Sequence, residues 1–406
     1  VEVVDPVEEY AAVLRRVFDF DALKKFVSSS QVRVIFDAMN AVTSEYAQRI
    51  LVDELGLSPE SLLNCSPLED FGGKHPDPNL TYATQLVAAM GLNPDGTPSS
   101  IDQVRAAPDL GAASDGDGDR NMILGRGIFV SPADSIAIIA DYAERCIPFF
   151  LEGGVRGVAR SMPTSAALDR VAAKRGWTCF ETPTGWKYFG NLMDAGLITL
   201  CGEESFGTSG SHIREKDGLW AVLAWMSILA FRNKDGARAG DDVESNRWVS
   251  VEKIVHEHWF TYGRNYYGRH DYEKVDARAA EQVMERLRSR IDANAADAAQ
   301  EEYVIDEFEY EDPVDHSVAR KQGVRVLFED GSRVVFRLSG TGSSGATIRI
   351  YLEKFESPRQ VDEDEQTASS RLLQTARHAL QPLANAALEL GDVQNLTGRD
   401  APDVIT

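Results

Sequence analysis

The sequence predicts two successive α/β domains with layered, mixed sheets, followed by an α+β C-terminal domain. Three observations carry this. Short β-branched runs alternate with helical spacing between Val32 and Cys65, the same rhythm returns between Ser131 and Phe231, and beyond Val324 strands follow one another without helices between them. With 406 residues, 43% of them hydrophobic, the chain is long enough for two or three separately packed cores.

The first domain, residues 1–131, opens on a helix signature: Asp5 as N-cap, Pro6 at the first helical position and Glu8 closing a capping box, with amphipathic spacing to about Phe26. Val32–Phe36 and Leu62–Cys65 read as strands around the helical stretch Ala41–Leu55, which Gly56 ends; together they make a β-α-β unit with a parallel sheet. Gly72-Gly73-Lys74-His75-Pro76-Asp77-Pro78-Asn79 lacks periodicity and reads as a loop facing a cleft, with His75 stapling it by a hydrogen bond rather than ligating a metal or shuttling a proton. Asn79 is expected to cap a helix running to Met90. The opening Val1-Glu2-Val3-Val4-Asp5, without Met, reads as a cut within a longer protein.

The second domain, residues 132–232, starts at the helix signature Ser131-Pro132-Ala133-Asp134. Strands at Val155–Arg160, Thr178–Glu181 and Leu197–Cys201 alternate with helices at Thr164–Lys174 and Trp186–Ala195. The stretch Asp217–Phe231 is apolar nearly all round and is the expected buried helix. Polar, Gly-rich residues then mark a linker or surface insertion, residues 233–250. In the last domain, residues 251–406, helices near Val251–Trp259 and Ala279–Ile291 precede a hairpin in which Asp330-Gly331 turns Val324–Phe328 into Val334–Leu338. Thr347–Leu352 adds a strand, and Gln366–Leu390 closes the chain with helix.

A formal net charge of −22 argues against nucleic acid or an anionic membrane as partner, so an anionic substrate has to meet a locally basic pocket. Four scattered cysteines, Cys65, Cys146, Cys179 and Cys201, form no C-x-x-C pair; neither a zinc site nor a disulfide framework is indicated, and a reducing compartment is expected. The longest apolar run, Gly218–Phe231, is shorter than the ~18 residues of a membrane span.

Chemistry concentrates at Asp115-Gly116-Asp117-Gly118-Asp119-Arg120. Three carboxylates alternate with two glycines, so the loop repels itself unless a cation sits in it, and Mg²⁺ suits such an all-oxygen donor set. A solvated acidic turn is the alternative for this motif taken alone. A calcium EF-hand is excluded: counting from Asp115, Arg120 stands at the sixth position and Arg126 at the twelfth, where Gly and Glu are required. Downstream, Gly340-Thr341-Gly342-Ser343-Ser344-Gly345 fits G-x-G-x-x-G, yet the β-branched run after it predicts a strand where a dinucleotide fold needs a helix, and Ala346 replaces the Lys of a Walker loop. Flanked by Arg337 and Arg349, it reads instead as a phosphate clamp. Gly202-Glu203-Glu204-Ser205 spaces a carboxylate and a hydroxyl so that an extended segment presents both to a polyol. Arg214 and Lys216 add positive charge, or form ordinary surface ion pairs with Glu215 and Asp217.

Taken in order, the loops Asp115–Arg120, Thr182–Lys187, Gly202–Gly207 and Arg337–Gly342, together with Ser161–Ser165, His212–Gly218 and the terminal Ala401–Thr406, resemble the α-D-phosphohexomutases, and most closely their eukaryotic phosphoglucomutase branch, over essentially the whole chain. The resemblance implies a magnesium enzyme of hexose phosphates that works through glucose 1,6-bisphosphate and a phosphoserine, in the cytoplasm, as a monomer or weak dimer. It implies that Asp115, Asp117 and Asp119 hold the metal. Arg120 meets the reacting phosphate or the serine loop, and Lys216 is the candidate for proton transfer, which calls for a lowered pKa. Thr184 and Gly185 meet the sugar phosphate, and Glu203 and Ser205 bind sugar hydroxyls. Asp119, Arg120 and Lys216 also count among the substrate contacts, and the distal phosphate falls to Arg337, Ser339, Gly340, Thr341 and Arg349. The family's Thr-Ala-Ser-His-Asn-Pro loop does not occur between Val1 and Thr406, so the nucleophilic serine is expected in a domain outside this chain, and the chain alone is expected to be inactive. A non-catalytic scaffold of the parafusin or aciculin kind, acting in secretion or at the cytoskeleton, is the alternative function.

Overall fold

The computed structural model describes residues 3–234, 248–297, 303–339 and 345–406. It divides into two compact units, Val1–His258 and Trp259–Thr406. The expected 233–250 linker therefore lies largely outside the described residues, as do Gly340 and Thr341.

The first unit contains two sheets of one design. In the first, β1 (Val34–Asp37), β2 (Leu62–Leu63) and β3 (Leu110–Ser114) run parallel with β1 central, and β4 (Asn121–Gly125) and β5 (Ile128–Val130) extend it antiparallel. In the second, β6 (Gly157–Ser161), β7 (Thr178–Thr182) and β8 (Leu200–Gly202) are parallel with β6 central, and β9 (Thr208–Gly210) is antiparallel to β8. Each sheet thus ends its third parallel strand in a hairpin. The loop Asp115–Arg120 joins β3 to β4, and Glu203–Gly207 joins β8 to β9. Ligand loops at the carboxyl ends of parallel strands are what open α/β sheets favour. The Gly218–Arg232 helix has Asp217 as its N-cap and is buried over all positions from Gly218 to Leu229, as its unbroken apolar sequence requires.

Several local expectations are corrected. The first helix breaks in two, Pro6–Val17 and Phe20–Ser30, because Phe18 goes extended (φ −115°, ψ 151°) and Asp19 starts a new cap on Ala22. The Ala41–Leu55 helix is α only over Thr43–Ala47 and widens to a π-helix over Gln48–Glu54. Asn79 caps a turn, accepting from the Thr81 and Tyr82 amides, and the helix begins only at Thr84. The C-terminal helix is interrupted between Leu372 and Ala376, where Thr375 caps the second piece.

The second unit has a six-stranded sheet, antiparallel throughout, built from β10 (Arg264–Val275), β11 (Tyr303–Glu307), β14 (Val324–Phe328), β15 (Arg333–Ser339), β16 (Ala346–Glu356) and β17 (Val404–Ile405). A two-stranded ribbon, β12 (Tyr310–Glu311) with β13 (Val318–Ala319), lies between β11 and β14 in the chain. Its core packs Tyr272, Val326, Phe336, Ile348 and Ile350 against Val283 and Leu287 of the Ala277–Asp297 helix and Ala387 of the Ala376–Gly391 helix. This is the α+β arrangement that strands in series predict, and the element that begins at Ala346 is a strand, not a helix.

Candidate active site

The acidic loop is held open by its own backbone and by three neighbouring segments. Ser114 Oγ donates to the Arg120 carbonyl at 2.9 Å and the Arg120 amide donates to Asp115 Oδ1 at 3.0 Å, which closes the turn on itself. Gly118 adopts φ +83°, and a Cβ there would come within 2.7 Å of Thr43 Cγ2, so the position needs glycine twice over. Behind the loop, the Gly218 amide donates to the Gly118 carbonyl at 3.2 Å; a Cβ on Gly218 would stand 2.4 Å from the Arg120 carbonyl oxygen. The Gly116 amide donates to the Pro76 carbonyl at 3.1 Å.

Within this frame a ligand oxygen from each of Asp115, Asp117 and Asp119 lies within 4.8 Å of the others. Asp115 is buried, Asp119 half-buried and Asp117 exposed. Burial, with the charges of Asp119 and Asp117 beside it, pushes the Asp115 carboxyl up to about 6 against the pull of the Arg120 amide and guanidinium. Carboxylates packed this closely at the end of a buried strand are a strained arrangement that a hard divalent cation relieves, and the all-oxygen donor set fits such an ion.

Two cations already face the carboxylates. Arg120 Nε lies 3.6 Å from Asp115 Oδ2 and 3.8 Å from Asp119 Oδ1, and its Nη1 is 3.4 Å from Asp77 Oδ1. Lys216 Nζ donates to Asp119 Oδ2 at 3.0 Å and lies 5.8 Å above the Trp186 ring. Burial lowers the Lys216 pKa, but Asp119, Glu203 and Glu215 outweigh it and hold the ammonium above its ordinary value. The lowered value that proton transfer calls for is therefore not what these neighbours produce. Nor is Lys216 a surface ion pair of Glu215 and Asp217; Arg214 is the surface residue, paired with Asp194 at 2.6 Å.

The Thr182–Lys187 and Glu203–Gly207 loops adjoin this site. The Asn121 amide and its side-chain Nδ2 both donate to the Phe206 carbonyl, at 2.9 and 3.1 Å, and Arg120 forms an isolated β-bridge with Gly207. Glu203 is buried and its Oε1 accepts the Gly185 amide at 3.0 Å, so the Thr182–Lys187 loop and the β8–β9 loop are joined through a single carboxylate. Glu203 to Ser205 is not the extended segment expected: the Glu203 amide donates to the Gly207 carbonyl at 2.8 Å and Phe206 turns at φ +70°, which makes a tight hairpin with Ser205 half-buried at its tip. Glu204 faces the other way, where Ser161 and Thr164 donate to it at 3.1 and 3.3 Å. Thr184 is half-buried in the adjoining loop.

One network gave no signal in the sequence. Asp217 accepts from the Trp220 amide at 3.0 Å, from His212 Nε2 at 2.9 Å and from the Tyr10 hydroxyl in a short hydrogen bond, which locks the segment that carries Lys216. Burial and the neighbouring Asp217 raise Tyr10 well above the ordinary tyrosine value, so the hydroxyl stays a donor. His75 meets Tyr82 ring edge to face at 4.5 Å.

In the second unit Arg337 of β15 and Arg349 of β16 are direct cross-strand partners, and Ser339 and Thr347 pair two residues further along, so all four side chains share a face. Asp271 of β10 is the next partner along the row, 3.8 Å from Arg349 Nε, and also accepts from Arg269 at 2.9 Å. Arg337 Nε donates to the Gln322 carbonyl at 3.2 Å. The Arg349 Nε is buried and makes no hydrogen bond among the described residues. Gly340 and Thr341 of the expected clamp lie outside the described residues.

Known proteins match this chain along its length. Family models of phosphoglucomutase/phosphomannomutase α/β/α domain II, of domain III and of the phosphoglucomutase-1 C-terminal domain match residues 8–127, 132–257 and 264–403. The cytoplasmic phosphoglucomutase of Bromus inermis is 53% identical over all of this chain and 67% of its own length, and that of Solanum tuberosum is 52% identical with the same coverage. The chain belongs to the phosphoglucomutase/phosphomannomutase family. The crystal structure of parafusin from Paramecium in its open form, an exocytosis-sensitive phosphoprotein and phosphoglucomutase, matches this family member with a TM-score of 0.86 at 50% identity, over 100% of this chain and 65% of that one. A putative phosphomannomutase from Thermus thermophilus, 21% identical over 91% of this chain and 65% of its own, shares the fold with a TM-score of 0.56. The chain spans about two thirds of the length of the relatives it matches. Among the described residues no helix is long and apolar enough to cross a membrane.

Proposed function

We propose that this chain supplies the metal, sugar and phosphate sites of a cytoplasmic phosphoglucomutase, which interconverts glucose 1-phosphate and glucose 6-phosphate through glucose 1,6-bisphosphate. The observation that carries the proposal is the convergence of Asp115, Asp117 and Asp119 with Lys216 and Arg120 on a loop joined directly to the Glu203 hairpin. Relatives at 53% identity that are phosphoglucomutases support the choice of reaction.

Asp115, Asp117 and Asp119 would hold Mg²⁺, which when bound supplies charge neutralisation at a transferring phosphoryl group. Arg120 presents guanidinium N–H donors at the same place. Lys216, kept as an ammonium by Asp119, adds positive charge and a proton that can pass to a sugar oxygen once that partner is withdrawn. Glu203 accepts from sugar hydroxyls while its other oxygen ties down the Gly185 amide, Ser205 contributes a hydroxyl at the hairpin tip, and Thr184, on the loop that Gly185 anchors, offers a donor to the sugar phosphate. Arg337, Ser339 and Arg349, with Gly340 and Thr341, take the phosphate that is not reacting, an anion for which paired guanidinium forks are suited. We place the functional divisions at 1–131, 132–232 and 251–406, each contributing one such part.

The family's serine loop does not occur in this chain, so the test has two arms. With Mg²⁺ and glucose 1,6-bisphosphate, the chain as given converts no glucose 1-phosphate; joined to a domain that bears the Thr-Ala-Ser-His-Asn-Pro loop, it does. Turnover in the first arm, or none in the second with a folded protein, refutes the assignment.

A further inference from the structure

The Gly72–Asn79 loop, a motif with no part in the chemistry above, sits against the metal loop, and its Asp77 is a third carboxylate on Arg120. Arg120 Nη1 donates to Asp77 Oδ1 at 3.4 Å, whereas its Nε lies at 3.6 and 3.8 Å from Asp115 and Asp119, beyond hydrogen-bond reach. The guanidinium is thus shared among three carboxylates, and of these Asp77 is the one at hydrogen-bond distance. Asp77 is itself fixed. Its Oδ2 accepts from Asn79 Nδ2 at 2.9 Å, prolines 76 and 78 restrict the backbone on either side, and the Pro76 carbonyl takes the Gly116 amide at 3.1 Å. A Cβ on Gly116 would approach Pro76 Cγ to 3.1 Å, so the two loops are in close contact.

We infer that Asp77 is a positioning residue: it draws the Arg120 guanidinium off Asp115 and Asp119, and so leaves their oxygens to the metal ion. This rests on the metal-site assignment proposed above. An arginine left without Asp77 would close onto two carboxylates that already lie within 4 Å of it, and each such ion pair competes with a divalent cation for the same lone pairs. Asp77 and Arg120 are both partly exposed, so changing either side chain leaves the core intact.

A double-mutant cycle read by calorimetric titration of the metal-free chain with Mg²⁺ tests the inference. Asp77→Asn is expected to weaken Mg²⁺ binding about two- to fivefold, the range that a partly exposed ion pair supports. In an Arg120→Ala background the same substitution is expected to change nothing, because no guanidinium remains to be held. Asp77→Glu, which keeps the charge, restores most of the affinity, and thermal melting reports whether each variant is folded. If Asp77→Asn weakens binding equally with and without Arg120, Asp77 acts on the ion by its own field or as a ligand, and the positioning role is overturned. No effect in either background overturns it too. If the unaltered chain does not bind Mg²⁺, or Asp117→Asn leaves binding intact, the metal-site assignment itself fails and takes this inference with it.

Discussion

The acidic loop of the first unit and the arginine row of the second are both charge concentrations of one sign, yet they are built in opposite ways. The loop crowds Asp115, Asp117 and Asp119 into five consecutive residues and holds them there with glycine geometry, the Gly218 amide and the Gly116 contact to Pro76. The row brings Arg337 and Arg349 together from separate strands through antiparallel register, and Asp271 supplies a counter-charge. The loop packs its three carboxylates so closely that Arg120 and Lys216 offset their repulsion only in part, and it calls for an ion as well. A row assembled by register is already partly neutralised, and it needs its ligand less for integrity than for function.

This difference orders the expected effects. Asp117→Asn in the complete enzyme should reduce turnover by at least about a hundredfold, the scale of losing a preorganised electrostatic contact, while leaving the melting temperature unchanged, because Asp117 is exposed and caps nothing. Steady-state kinetics with glucose 1-phosphate checks this; activity within about tenfold, roughly 1.4 kcal/mol of barrier, would remove the loop from the chemistry.

Gly218→Ala strikes the frame and not the charges. Its Cβ would meet three atoms at or below 2.9 Å, two of them carbonyl oxygens of the metal loop, and the Gly118, Arg120 and helix backbones cannot all yield cheaply. A loss of about 2 kcal/mol of stability is expected, measurable by urea denaturation, with Mg²⁺ affinity falling alongside. A comparable Arg337→Ala change on the row should leave stability nearly unaltered.

The pH response should also differ between the regions. Asp115, pushed up to about 6 by burial and its neighbours, binds a proton more tightly in the folded chain than in the unfolded one. Its contribution to the stability of the metal-free chain is thus fully present below the ordinary carboxylate range and is lost as pH rises through about 6. For the metal the sign reverses, since Mg²⁺ must displace that proton: affinity should fall as pH drops below about 6, by at most about tenfold per unit. Calorimetry in buffers of different ionisation heat, at about pH 7.5 and about pH 5, would show proton release only at the lower pH.

The same contrast explains what the sequence reveals. The acidic loop and the Glu203 segment are legible because each keeps its functional groups within a few residues, and the two parallel cores announce themselves through strand and helix rhythm. What register and packing assemble is not legible. Asp271 lies on β10, a polar strand with no alternation to mark it, and reaches Arg349 only through the sheet. Tyr10 meets Asp217 from 207 residues away, at the other end of the first unit's sequence, and completes a contact that His212 makes locally. The hairpin at Glu203 replaces an extended segment because Phe206 accepts a positive φ that no residue preference signals. The break after Val17 follows from Asp19 competing as a cap within a continuous amphipathic pattern.

The most direct measurement is calorimetric titration of this 406-residue chain with glucose 6-phosphate in the presence of Mg²⁺, for the unaltered sequence and for Arg349→Ala and Arg349→Lys. If the chain carries the substrate site and its arginine row holds the phosphate, the unaltered chain binds, the Ala variant binds at least about tenfold more weakly, and Lys recovers part of the loss because a point charge lacks the fork. Equal affinity in all three would contradict the account.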